Sequence, residues 1–240
     1  MQTFRTVLYV KRKGLYNKYM VRKVVFVAVA TSMVYTGGML PVSSKHITYA
    51  QSNKGSLYSV TSVPLSQLLE EKQPIIGESI ATEEQMLAFA RAVNPSFPAE
   101  LPKLYLEIGK KYGIRGDIAF CQMIKETGYH RFGGIVEANQ YNYAGIGATG
   151  NSKTNKGNSF QSPEQGVLAH IQHLYAYATK QNLPQGEKLV DPRFKYVARG
   201  IAPSWQDLNG RWAVPGKGYG EDILRIYYQM LQTPTSSEIQ

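Results

Sequence analysis

Residues 117–127 leave almost no polar face. Ile118, Ala119, Phe120, Cys121, Met123 and Ile124 are apolar, and the exceptions inside the run are Gln122, Lys125 and Glu126. A helix that is apolar nearly all round has to sit in the middle of other elements, because no side of it tolerates water. Asp117 stands where a capping residue belongs. Gln122 and Glu126 are four apart and share one face. The rest of the chain must therefore supply the shell around this helix.

That shell reads as helices. Thr82 with Gln85 forms a capping-box pattern, followed by Met86, Ala90 and Val93 at helical spacing. Leu101, Leu104, Tyr105, Ile108 and Tyr112 make an apolar stripe closed by Gly113. Ser162, Pro163 and Gln165 open a fourth helix, whose stripe is Val167, Leu168, Ile171, Leu174, Tyr175 and Ala178. A last helix starts near Gly220 and carries Ile223, Ile226, Tyr227, Met230 and Leu231. Strand signals are weak, with room for a short hairpin in the Gly- and Asn-rich stretch 144–159. The predicted class is mainly α.

The net charge of +10 invites a nucleic-acid partner, but its location removes that reading. Residues 1–50 hold eight Lys or Arg and no acid, and the remainder is close to neutral at about +2. Phosphate-binding proteins concentrate basic groups on a folded face. The N-terminal segment has a basic flank, the apolar run Val24–Ala30 and small residues at Thr48 and Ala50, which is a signal-peptide pattern with cleavage expected after Ala50. An uncleaved anchor is the alternative, although Thr31, Ser32, Thr36, Gly37 and Gly38 make the run a poor spanning helix. Residues 51–80, rich in Ser, Gln and Lys, read as a linker or loosely packed arm. The expected organisation is a leader over 1–50, a linker or arm over 51–80 and one folded domain over 81–235. The product is expected to be secreted or wall-associated, monomeric, and off the membrane once the leader is cut.

Three motifs carry less than they promise. Gly145-Ile146-Gly147-Ala148-Thr149-Gly150 matches G-x-G-x-x-G, but a loop-like polar stretch follows it where a dinucleotide site needs a helix. His170 and His173 are three apart on a helix, yet no H-E-x-x-H or third ligand accompanies them, so they read as polar-face histidines and no metal is expected. The single cysteine, Cys121, lies in an apolar stretch and reads as a buried thiol. No cofactor is called for.

Chemistry concentrates around Glu126. It ends the buried helix and opens onto an aromatic, Gly-rich loop, residues 127–134. The negative end of the helix dipole and apolar neighbours both disfavour a carboxylate there. A carboxyl group that stays protonated is what glycoside cleavage needs as its general acid. Tyr129, Phe132, Tyr141, Tyr143, Trp205, Trp212 and Tyr219 lie in or near loops, and aromatic platforms suit the C–H faces of sugars.

Residues 118–134, read Ile-Ala-Phe-Cys-Gln-Met-Ile-Lys-Glu-Thr-Gly-Tyr-His-Arg-Phe-Gly-Gly, resemble the catalytic-helix motif of glycoside hydrolase family 73. These are bacterial endo-β-N-acetylglucosaminidases of the lysozyme-like superfamily. Residues 141–147 are similar to the family's Asn-rich segment, 159–167 to its next helix start, and 209–216 with Tyr219 and Gly220 to its closing segment. The likeness covers about residues 81–232, in order.

The resemblance implies a lysozyme-like helical domain with a substrate cleft and a short β-hairpin or loop lobe. It implies cleavage of the β-1,4 bond between N-acetylglucosamine and N-acetylmuramic acid in peptidoglycan strands, with Glu126 as catalytic acid. Candidate substrate contacts are Gln122, Tyr129, Phe132, Asn142, Tyr143, Trp212 and Tyr219. Many family members carry a second glutamate in the hairpin lobe, whereas residues 144–159 contain no Asp or Glu. Glu164 and Glu137 are the nearest alternatives. Without a second carboxylate, the substrate's own 2-acetamido group could attack the anomeric carbon. A lytic transglycosylase, a muramidase, or a non-catalytic wall-glycan-binding protein are the competing readings.

Overall fold

The computed structural model describes residues 64–148 and 156–234; the expected leader lies outside them. Six α-helices run in the order α1 (Leu65–Glu70), α2 (Glu83–Val93), α3 (Glu100–Tyr112), α4 (Gly116–Thr127), α5 (Pro163–Ala178) and α6 (Tyr219–Leu231). The described residues form isolated bridges and no extended strand. The class is mainly helical, as expected.

Helix α4 is the axis of the core. Ile118, Ala119, Phe120, Cys121, Met123 and Ile124 are all fully buried, and α3 and α6 flank the helix. Its start lies at Gly116, one residue before the predicted position, with Arg115 as the flanking residue. Close approach requires that glycine. A Cβ on Gly116 would stand 2.1 Å from the Tyr105 carbonyl oxygen, and one on Gly109 would stand 2.8 Å from the Gly116 Cα. The α3–α4 crossing is therefore a glycine contact, backbone against backbone. Asp117 does not cap from outside. Its buried carboxylate accepts from the Ile80 and Ala81 amides at 2.8 and 3.4 Å and faces Arg115 at 3.5 Å.

Those bonds help draw residues 64–80 into the fold, where the sequence pattern indicated a linker. Leu68 and Ile75 are buried. Ile75 donates to Pro203 and accepts from Arg115, each at 2.9 Å, so the part of the segment after α1 lies as an extended strip between two loops. Only Leu68 and Ile75 of its apolar residues are fully buried, while Ile76 and Ile80 are exposed, which is why composition alone hides it.

Three helix ends follow the capping chemistry that the sequence predicts. Thr82 and Ser162 each accept from the amide three residues on, at 3.2 Å, and Gly113 closes α3 in the left-handed region at φ 65°. Gln85 does not complete a capping box. Its amide reaches the carbonyls of Leu231 and Thr233, tying α2 to the end of α6.

A small lobe stands apart from the main core. Ala144, Ile146, Phe160 and Ala169 form their own apolar cluster. Asn142 holds the lobe's turn together: its Nδ2 donates to the Ile146 and Asn158 carbonyls at 2.9 Å each, and its Oδ1 accepts from the Ile146 amide at 2.8 Å. A single Ala148–Lys156 bridge is all of the hairpin that the described residues contain.

Candidate active site

Glu126 is the penultimate residue of α4, and Gly128 ends that helix in the left-handed region at φ 57°. The loop beyond it keeps Tyr129, His130 and Phe132 at positive φ. Such residues are held there only by their surroundings: His130 donates to the Thr127 hydroxyl at 2.9 Å, and Asn94 donates to the Tyr129 carbonyl at 2.9 Å.

The side chain of Glu126 opens into a cleft of about 590 Å3. One wall is the backbone of Ala144, Gly145, Ile146, Gly147 and Ala148. The other is built from His173 and Tyr177 of α5, Arg193, Tyr196 and Val197, and the loop Arg211, Trp212, Ala213 and Val214. A Cβ on Gly145 would lie 3.9 Å from Glu126 Oε2, so the glycine-rich stretch brings bare backbone beside the carboxyl group. That is the role of the G-x-G pattern here, a cleft wall and not a phosphate cradle. Glu126 is the one carboxylate lining the cleft among the described residues.

Glu126 is exposed to the cleft on one side and enclosed by protein on the other. Burial raises its pKa above the ordinary glutamate value, and a hydrogen bond from Tyr219 and the field of Lys125 work against the rise. Water in the open cleft limits the size of the shift but not its direction.

Behind Glu126 lies a chain of side chains. The Tyr219 hydroxyl donates to Glu126 Oε1. Gln122 Nε2 donates to Tyr219 at 2.8 Å, and Gln122 Oε1 meets His170 Nε2 at 3.0 Å. His170 Nδ1 in turn meets the Tyr105 hydroxyl at 2.9 Å. Gln122, His170 and Tyr105 are fully buried.

The other candidates divide into two groups. Trp212 lines the cleft, while Tyr219 and Gln122 stand behind Glu126. Asn142 and Tyr143 are buried, at 1% and 2% exposure, and shape the lobe from within. Tyr129 packs on Phe89, and Phe132 on His130, on the far side of the loop. Glu137 is exposed and pairs with Lys156 at 2.7 Å, and Glu164 is exposed in the first turn of α5. Neither lines the cleft.

The histidine pair is not a polar face. His170 is fully buried, and His173 lines the cleft with its Nδ1 at 2.7 Å from the buried Asp191 carboxylate. Asp191 is itself fixed by the Gln172 side chain and the Arg193 amide. His170 sits three residues after Val167 and four before Leu174, a core position that periodicity could have flagged. No comparable signal marks His173, Tyr177, Arg193 or Arg211, which distant segments bring together. The described residues hold no cluster of potential metal ligands.

Residues 102–232 match the glucosaminidase family model, described as mannosyl-glycoprotein endo-beta-N-acetylglucosaminidase. The chain belongs to this glucosaminidase family. It is a glycoside hydrolase with a helical, lysozyme-like domain. It is also 40% identical over 153 residues to an uncharacterized protein of Borreliella burgdorferi, covering 62% of this chain and 72% of that one. No solved structure matches it. The glucosaminidase match spans α3 to α6 and takes in every residue of the cleft and of the chain behind Glu126. Helix α2 and the extended strip before it lie N-terminal to the match and brace α4 and α6.

Proposed function

We propose that this glucosaminidase cleaves the β-1,4 bond between N-acetylglucosamine and N-acetylmuramic acid in peptidoglycan, with Glu126 as general acid. The observation that carries the reading is the environment of that carboxyl group. It faces the cleft through Oε2, receives a hydrogen bond on Oε1 from Tyr219, and has its pKa raised by burial.

The chemistry follows from one carboxyl group. Glu126 Oε2 gives its proton to the glycosidic oxygen as the bond from that oxygen to C1 breaks. The carbonyl oxygen of the 2-acetamido group bonds to C1 and forms an oxazolinium ion. Water then attacks C1 and displaces the oxazolinium oxygen, which returns to the acetamide, while Glu126, now a carboxylate, takes the water's proton. The product retains the β configuration. The absence of Asp and Glu from residues 144–159 favours this route over one with a second protein carboxylate.

The cleft also supports an anionic glycan. Arg193 and Arg211 line it, and neither pairs with a carboxylate among the described residues. Burial raises the Tyr177 phenol pKa; Arg193 and Arg211 act on it in the opposite sense and the buried Asp191 carboxylate in the same one, so two positive charges and one negative charge lie around one spot on the cleft wall. Peptidoglycan carries carboxylates on its peptide stems, and on the lactyl groups of strands that have lost them; chitin carries none. Trp212, packed at 4.9 Å on His173 and 5.6 Å on Tyr177, supplies an aromatic surface for a sugar face. The signal-peptide pattern supports action outside the cytoplasm, on the wall.

Digestion of peptidoglycan by the purified protein, read by mass spectrometry, tests the assignment. Reducing N-acetylglucosamine ends are expected. Reducing muramic ends would make it a muramidase, and anhydro-muramic ends a lytic transglycosylase. Glu126→Gln should lower the rate by about 10²–10⁴-fold, the usual weight of a general acid, with an unchanged circular dichroism spectrum. Full clearing by that variant would remove Glu126 as the general acid, and no clearing by the parent protein would leave a glycan-binding protein.

A further inference from the structure

Four hydrogen bonds link Tyr105 of α3, His170 of α5, Gln122 of α4 and Tyr219 of α6 to Glu126. The donors and acceptors along this chain leave little freedom. An amide oxygen only accepts, so the His170 nitrogen facing Gln122 Oε1 must be the protonated one. A neutral imidazole carries a single N–H, so Nδ1 must accept, and the Tyr105 hydroxyl donates to it. Gln122 Nε2 donates to the Tyr219 oxygen, so the one phenolic proton is left for Glu126.

We propose that His170 is a positioning residue for the general acid: its Nε2–H selects the orientation of the Gln122 amide and so commits the Tyr219 hydroxyl to Glu126. Turning the amide over would set its NH2 against the His170 N–H, two donors face to face. It would also offer Oε1 to Tyr219, which could then give its proton to Gln122 and leave Glu126 without it. The imidazole excludes that state. It acts on Glu126 through two intermediates, without touching the cleft. This inference rests on Glu126 being the acid.

The surroundings fit a fixed, neutral imidazole. His170 is fully buried, with Tyr105 edge-on at 5.6 Å and Trp212 tilted over it at 5.6 Å, so no water substitutes for a lost partner. Burial, with the neighbouring His173, pushes its pKa down to about 3, so Nδ1 stays an acceptor at any working pH. The titratable groups that face the system are Tyr105 from α3, Lys125 from α4, His173 and Tyr177 from α5, Tyr219 from α6, Tyr143 from the small lobe, and Asp191, Arg193 and Arg211 from the cleft loops. Trp212 roofs both this chain and the cleft, which joins the buried side of the acid to the sugar-facing side.

Two measurements decide the matter. In the unmodified protein, 15N NMR should find His170 as the Nε2–H tautomer from pH 4 to 8; the Nδ1–H tautomer would overturn the proposal without any variant. In the pH profile of peptidoglycan clearing, His170→Phe should move the alkaline limb up by about one pH unit, the size expected when a single charge-assisted hydrogen bond to the carboxylate is lost. His170→Gln, which keeps one donor and one acceptor, should restore the limb. Tyr105→Phe, a milder change, should move it part of the way. A limb that stays in place while only the melting temperature falls makes His170 a core residue and nothing more. Loss of the proposed function is a separate outcome: an active Glu126→Gln protein removes the acid, whatever His170 does.

Discussion

Tyr219 and Glu126, ninety-three residues apart in the chain, share one proton-donating contact, from the phenol to Oε1. Tyr219 begins α6 and Glu126 nearly ends α4, so the packing of those two helices aligns the acid. The contact divides the labour of the carboxyl group. Oε1 is held from behind, and Oε2 is left to face Gly145 and the cleft.

Tyr219→Phe tests that division. The hydrogen bond from Tyr219 lowers the Glu126 pKa against the larger effect of burial. Without it the pKa rises further, the acid stays protonated to higher pH, and the alkaline limb of the activity profile should shift upward. Gln122 Nε2 also loses its buried acceptor, at a cost of about 1–3 kcal/mol in urea unfolding.

Glu126→Gln should affect stability as well as rate. A carboxyl group whose folded pKa lies above its unfolded value favours the folded state fully only below the unfolded pKa. That contribution is lost as pH rises through the folded pKa. Glutamine cannot ionise. The variant should therefore melt higher than the parent at pH 8, with the two curves converging below about pH 4. A variant that melts lower than the parent at pH 8 would contradict the raised pKa.

Replacing both Arg193 and Arg211 by Gln should separate substrates. On peptidoglycan the KM is expected to rise about three- to tenfold, from two solvent-exposed charge contacts of up to ~1 kcal/mol each, with kcat little changed. On chitin oligosaccharides, which lack carboxylates, the variant and parent should be equal. An equal loss on both would assign the arginines to the cleft's shape.

Gly116→Ala should be among the most damaging single-methyl changes in the protein. Its Cβ would fall 2.1 Å from the Tyr105 carbonyl oxygen, which is backbone and has no rotamer to move. Overpacking of this kind costs about 1–3 kcal/mol or more. Because Tyr105 also bonds His170, activity should fall further than the lost stability explains, measured at a temperature where the variant is fully folded.

The helical frame was legible because it depends on local rules. Apolar spacing, Thr82, Ser162 with Pro163, and Gly113 mark ends that the structure keeps within a residue or two. Residues 64–80 were not legible as part of the fold, since a six-residue helix and an extended strip that bury only Leu68 and Ile75 have too short a period to detect. Glu126 stood out for the same local reason, a carboxyl group closing an apolar helix. Tyr129, Phe132, Asn142 and Tyr143 sit in motifs that resemble the family, and the structure puts them beneath or beside the cleft.

The sequence by itself determined that α4 must be central and that Glu126 ends it, because both follow from residues within one helix. The tertiary structure decided what stands around that carboxyl group. Tyr219, Gln122, His170 and Tyr105 come from four helices, and the arginines and Trp212 from loops far along the chain. Hydrogen bonds and cleft walls between distant segments depend on how helices cross, and the crossings depend on contacts such as Gly109 with Gly116. No local pattern encodes that geometry; only packing of the whole core does.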